Sequence, residues 1–115
     1  MIKTKDQIAI QVVENSGNIK GRIEKNHILT PEEMGGRAHM FARIDIPAGS
    51  MIMEHAHTAD AEAYYILEGE LTVSDNDTTR TLHPGDVLFT ADGNLHSIEN
   101  RTSQPGAFLA IIFKN

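Results

Sequence analysis

The stretch that decides the fold runs from Gly49 to Gly69 and reads Gly49-Ser-Met-Ile-Met-Glu-His55-Ala-His57-Thr-Ala-Asp-Ala-Glu62-Ala-Tyr-Tyr-Ile-Leu-Glu-Gly69. His55 and His57 are two apart, so on a strand both imidazoles leave the same face. Thr58-Ala-Asp60 reads as a turn, and Glu62 opens the returning strand. A hairpin there brings the carboxylate back opposite the two rings. A third imidazole stands at His96, on a later strand. Three neutral imidazoles and one carboxylate form a borderline-to-hard donor set, suited to one divalent ion of Fe, Mn, Ni, Co, Zn or Cu. The chain has no cysteine, so disulfides, thiolate nucleophiles and Fe–S clusters are excluded.

Outward from this stretch the chain reads as short strands separated by turn signals. Toward the N-terminus, Ile8, Ile10 and Val12 alternate, Asn15-Ser-Gly-Asn18 breaks the pattern, and Arg22 to Leu29 forms the next strand. Thr30-Pro31-Glu32-Glu33 carries helix-start chemistry, with Thr as N-cap, Pro at the first position and Glu closing a capping box. Gly35-Gly36 ends it almost at once, which predicts one short helix or a tight turn. Ala38 to Ile46 is a strand stopped by Pro47-Ala-Gly49. Toward the C-terminus, Leu71 to Ser74 and Thr79 to Leu82 make a hairpin about Asp75-Asn-Asp77. Val87 to Thr90, Leu95 to Asn100 and Ala107 to Phe113 complete the set. Many short strands with Gly and Pro turns predict an all-β sandwich or barrel.

These residues carry a specific resemblance. Gly49, His55, His57, Glu62 and Gly69 match the first cupin motif, G-x5-H-x-H-x4-E-x6-G, at every defined position. Gly85, Gly93, His96 and Asn100 match the second, G-x5-P-x-G-x2-H-x3-N, with Ala91 standing where the family usually has Pro. The chain is similar to small, metal-binding cupins. The resemblance implies an all-β double-stranded β-helix, the jelly-roll cupin barrel, as one domain over residues 1–115. Its barrel core would span about 38–113, with N-terminal strands in 7–29. It also implies that His55, His57, Glu62 and His96 are the metal ligands. The four motif glycines would sit in turns at positive φ. His27, His39 and His83 match no motif.

The substrate pocket is expected to be lined by Met51 and Met53, by Tyr64, and by Phe108 with Ala110 and Ile112. Met51 and Met53 are assigned from parity with His55, and Tyr64 from parity with Glu62. Ala38 to Ile46 is ambiguous. Apolar content buries Met40, Ala42, Ile44 and Ile46, whereas spacing back from Pro47, read as in similar small cupins, turns Phe41 and Arg43 inward. An inward Arg43 would offer a bidentate donor for a carboxylate; the competing reading is a surface Arg paired with Asp45. Candidate catalytic residues are Tyr64 and Arg43, with His39 as a further proton-transfer group.

The 115 residues leave room for one domain and none for a separate DNA-reading module. The formal net charge of −6, with ten scattered basic residues, argues against nucleic acid and anionic membranes as partners. No apolar run is long enough to span a bilayer and no signal peptide is visible, so a cytoplasmic location is expected. Apolar residues on both faces of several strands, including Ile44, Ile46, Tyr65 and Leu67, predict a homodimer. For function, the resemblance implies a metal-dependent protein acting on a small, anionic organic molecule by decarboxylase, dioxygenase or isomerase chemistry. The alternatives are a non-catalytic binder of oxalate-like carboxylates and a structural cupin with a vestigial site.

Overall fold

Antiparallel pairing organises the computed structural model, which describes residues 1–115. Its strands are β1 (Ala9–Glu14), β2 (Ile19–Lys20), β3 (Arg22–Leu29), β4 (Ala38–Ile46), β5 (Met51–Ala56) and β6 (Asp60–Glu68). They are followed by β7 (Leu71–Asp75), β8 (Thr78–Leu82), β9 (Val87–Thr90), β10 (Leu95–Glu99) and β11 (Gly106–Lys114). A six-stranded sheet has the order β1-β3-β4-β11-β6-β9, and a five-stranded sheet the order β2-β5-β10-β7-β8. The two sheets face each other as a jelly roll, and their inner faces share one apolar core.

The core follows from period-two alternation. β4 sends Ala42, Ile44 and Ile46 inward, and β6 sends Tyr64 and Ile66. β11 adds Phe108 and Ala110, and Ile52, Leu71, Val73 and Ile98 of the other sheet meet them. Each buried Ile or Phe contributes roughly 1.5–3 kcal/mol by leaving water. This apolar filling holds the barrel whether or not the polar centre described below is occupied. Ile44 and Ile46, expected at a subunit interface, instead lie in this core, because their strand's other face carries Arg43 and Asp45.

Residues 31–36 form a tight turn and not a helix. The capping box is present all the same. The Thr30 backbone N–H donates to Glu33 Oε1 at 2.8 Å, and the Glu33 N–H to Thr30 Oγ1 at 3.2 Å. Gly35 and Gly36, at φ 62° and 72°, then turn the chain out of the right-handed helical region.

All four motif glycines do have positive φ: 78° at Gly49 and Gly69, 95° at Gly85 and 79° at Gly93. Gly69 is constrained twice, since a Cβ there would stand 2.6 Å from the Pro105 carbonyl oxygen. The motif asparagine, Asn100, is buried at the end of β10. Its Nδ2 donates to the Ile46 and Gln104 carbonyls at 2.9 and 2.8 Å, and its Oδ1 accepts from the Thr102 N–H and hydroxyl. One side chain thus ties the loop before β11 to the end of β4.

Candidate metal centre

Both sheets contribute to the centre. Glu62 comes from β6 in the six-stranded sheet, His55 and His96 from β5 and β10 in the five-stranded sheet, and His57 from just beyond β5. β5 and β10 are paired with His96 opposite His55. The loop that follows β9 is pinned to His57, whose carbonyl accepts from Gly93 N–H at 2.8 Å and whose N–H donates to the Asn94 carbonyl at 3.2 Å. The loop expected to carry the family Pro is therefore held in place around Ala91 by backbone bonds.

The four side chains converge. Glu62 Oε1 lies 2.9 Å from His57 Nε2, 3.1 Å from His96 Nε2 and 3.9 Å from His55 Nε2. His96 Nε2 lies 2.8 Å from His55 Nε2 and 3.2 Å from His57 Nε2. All four donor atoms fall within 4.8 Å of one another. Donors about 2.1 Å from a six-coordinate ion stand about 3.0 Å apart when adjacent and about 4.2 Å apart when opposite. The separations from 2.8 to 3.2 Å match adjacent donors, and 3.9 Å approaches opposite ones. The donor set therefore fits a transition-metal ion, with coordination positions left for a small ligand.

The far side of each ring is anchored by a hydrogen bond. His55 Nδ1 donates to the Met53 carbonyl at 2.8 Å, and His57 Nδ1 to the Asp60 carboxylate at 2.6 Å. His96 Nδ1 pairs with Thr90 Oγ1 at 2.9 Å. The carbonyl and the carboxylate hold a proton on Nδ1 of His55 and His57, so that Nε2 can present a lone pair to an ion, and the Thr90 hydroxyl can accept from His96 Nδ1 in the same form. Burial alone would push Glu62 up. Hydrogen bonding to His55 and His96 and the fields of the rings more than offset that and hold it at about 2. Burial lowers His96. Burial also acts to lower His55, but its bonds to Glu62 and to the Met53 carbonyl outweigh that and raise it.

A cavity of about 210 Å³ opens on the centre. Its lining includes His55, His57, Glu62, Tyr64, Phe108 and Ile52, together with Met40, Ile44, Ala110 and Ile112. Tyr64 is buried and stacks on His96, with ring centroids 4.7 Å apart and planes at 20°. Burial, and then the neighbouring Glu62 charge, raise its hydroxyl well above 10, so the phenol stays neutral.

Four pocket expectations are corrected. Phe41 and Arg43 lie on the opposite face of β4 from the cavity. The Arg43 guanidinium pairs with Asp45 at 3.1 Å and Glu68 at 3.3 Å outside the barrel. The apolar alternates Met40 and Ile44 take the inner face, because they lose no hydration there. Met51 and Met53 also miss the cavity, and Ile52 takes their place. The reason is a β-bulge. Between His96 and Ile98, β10 advances two residues while β5 advances three, from His55 back to Ile52. The extra residue, at Met53-Glu54, reverses parity, so Ile52 and His55 both point inward. His39 is exposed on β4 and His83 pairs with Glu70 on the surface. His27 bonds Gln11. Besides Ile52, sequence reasoning missed the lining residues Asn18, Ile19 and Lys25. Lys25 had a signal, because it shares parity with the apolar Ile23 on β3.

A double-stranded β-barrel with three imidazoles and one carboxylate at its centre defines a metal-site cupin, and the chain matches the cupin domain family over residues 42–112, so it belongs to that family. It is 38% identical over 112 residues to an oxalate-binding protein of Thermotoga maritima, covering 97% of this chain and 93% of that one. A crystal structure from the same organism, described as a predicted oxalate decarboxylase, superposes with a TM-score of 0.92 at 37% identity and full coverage of both chains. A tetracenomycin polyketide synthase protein of Streptomyces glaucescens is 32% identical over 78 residues, 68% of this chain and 52% of that protein.

Proposed function

We propose that this cupin binds a small carboxylate, oxalate being the leading candidate, at a divalent metal ion held by His55, His57, Glu62 and His96. The observation that carries the reading is the convergence of three Nε2 atoms and one carboxylate oxygen on the wall of a 210 Å³ cavity. That volume is below the range of about 300–1,000 Å³ typical of sites for drug-sized molecules. Glu62 neutralises one charge of a divalent ion, so the centre keeps positive charge for an anion. The ion, when bound, supplies Lewis-acid attraction for carboxylate oxygens. The protein's own residues do the rest. The three Nδ1 bonds aim the imidazoles, Tyr64 braces His96, and Ile52 and Phe108 exclude water and limit ligand size. The similarity to an oxalate-binding protein supports the ligand class.

Calorimetry of the metal-loaded protein against oxalate, acetate and neutral polyols tests the reading. Oxalate should bind with the highest affinity. Equal or better binding of the polyols would overturn it.

A second reading, decarboxylation of the same ligand, is favoured by the description of the structural relative. Of the groups expected to move protons, His39 and Arg43 stand outside the cavity and Tyr64 is a neutral, buried phenol, which supports binding over turnover. Release of formate or carbon dioxide from oxalate by the loaded protein would establish the second reading.

We also infer a homodimer, formed through the outer face of the six-stranded sheet. Tyr65, Val87, Phe89 and Phe113 are exposed there, and Phe89 and Phe113 already meet at 6.5 Å. An exposed apolar face of this kind is covered in most soluble proteins. No helix is long and apolar enough to cross a membrane.

A further inference from the structure

The cavity wall contains a cation that the metal site does not use. Lys25 lies on β3, whose inward face also carries the fully buried Ile23, and it pairs across the strands with Ile44 of β4. Ile44 and Lys25 both line the cavity that holds His55, His57 and Glu62. The residue is half-buried. Its ammonium makes no ion pair, whereas Lys3, Arg22, Arg43 and Arg101 all have carboxylate partners. A half-buried lysine on the wall of a cavity, with no carboxylate partner of its own, is suited to receive an anion there.

Charge arithmetic gives it a definite consequence. Glu62 is the one carboxylate lining the cavity. A divalent ion and Glu62 leave one positive charge, which a monoanion neutralises. Adding Lys25 leaves two, which a single bound molecule neutralises if it is a dianion. Resting on the reading that the cavity takes a small carboxylate at the metal, we propose that Lys25 is the specificity determinant that selects dicarboxylates over monocarboxylates. It would receive the carboxylate end that the metal does not hold. Arg43, the residue that sequence spacing nominates for this task, is spent on Asp45 and Glu68 outside the barrel.

The test compares oxalate with glyoxylate, a monoanion of nearly the same size, on Ni(II)-loaded protein by calorimetry, in wild type, Lys25→Met and Lys25→Arg. Methionine preserves the stem and removes the charge. Loss of one charge-assisted contact should weaken oxalate about ten- to a hundredfold. Glyoxylate should change by less than about threefold, and Lys25→Arg should recover part of the oxalate affinity. Ni(II) stoichiometry and the melting temperature of Lys25→Met should match wild type. If both variants bind oxalate as wild type does, or if oxalate and glyoxylate weaken equally, the assignment of Lys25 is wrong while the carboxylate site stands. If loaded wild type binds neither acid, the carboxylate reading itself falls and the role of Lys25 with it. Should Lys25→Met be unstable, Lys25→Gln makes the same charge deletion and is read against the same criteria.

Discussion

Replacing His96 and His55 separately with Ala separates metal ligation from packing. Both substitutions remove one of four donors, and both should reduce bound metal below one ion per chain. Their effects on the metal-free protein should differ, because His96 has no exposed side-chain surface and His55 retains 24%. His96 is stacked on Tyr64 and bonded to Thr90, so its removal leaves a void between the sheets. Its loss also strips Glu62 of a partner at 3.1 Å, leaving the buried carboxylate with His57 at 2.9 Å and His55 at 3.9 Å. Burying such a void costs about 2–4 kcal/mol, and the weakened charge pairing adds to it. His55→Ala opens toward the cavity and should cost about 1 kcal/mol. At roughly 4 °C per kcal/mol for a chain of this size, His96→Ala should melt about 8–16 °C below wild type and His55→Ala about 4 °C below. The assay is urea and thermal unfolding after exhaustive chelation, with elemental analysis of the untreated proteins. Equal destabilisation by the two variants would refute the packing role of His96. Full metal occupancy in either would refute the ligand assignment.

Three further outcomes are expected. Asn100→Ala should destabilise by about 2–4 kcal/mol, because it frees the buried Ile46 carbonyl, the part-buried Gln104 carbonyl and the Thr102 hydrogen bonds together; chemical unfolding with an unchanged m-value checks this. Metal affinity should fall on acidification through the range of His55, which lies above its usual 6.5 in the metal-free protein, so that the proton and the ion compete for Nε2. Above that range affinity should level off, and Glu62, held at about 2, should add nothing to the slope near neutrality; competition with a chelator across pH reads this out. Light scattering should give twice the 12.7 kDa chain mass, and Phe89→Glu on the outer sheet face should reduce it to the monomer.

The legibility of the fold and of the pocket had different physical origins. Strand limits for Arg22–Leu29, Ala38–Ile46 and Val87–Thr90 can be read from the sequence because alternation and turn residues are local signals. The grouping of His55, His57, Glu62 and His96 could be anticipated from the resemblance to the two cupin motifs, in which each lies at a fixed offset from a motif glycine. The pocket walls could not. Parity from His55 back to Met53 and Met51 assumes a continuous strand, and the bulge at Met53-Glu54 that overturns it depends on pairing with β10, forty residues away in sequence. On β4 the apolar pattern already favoured Met40 and Ile44, and spacing from Pro47 gave the wrong face. Lys25 escaped notice because a lone lysine in an alternating strand ordinarily marks the solvent side.

The same bulge explains why the centre can join two sheets. A regular β5 would place Ile52 and His55 on opposite faces, so the strand would give up either its core contact or a donor atom. The inserted residue lets β5 keep Ile52 in the core and still turn His55 inward, opposite His96. It also frees the Met53 carbonyl to hold His55 Nδ1, which sets the donor tautomer. Three donors then come from the five-stranded side and the fourth, Glu62, from the six-stranded side. An ion bound there would tie the sheets together across the core, so its binding energy should appear as resistance to unfolding. Adding metal to the chelated wild type should therefore raise the melting temperature with metal concentration. The Glu62→Gln variant, whose amide is a far weaker ligand, should respond much less. A metal-induced shift of the same size in both proteins would show that Glu62 takes no part in holding the ion.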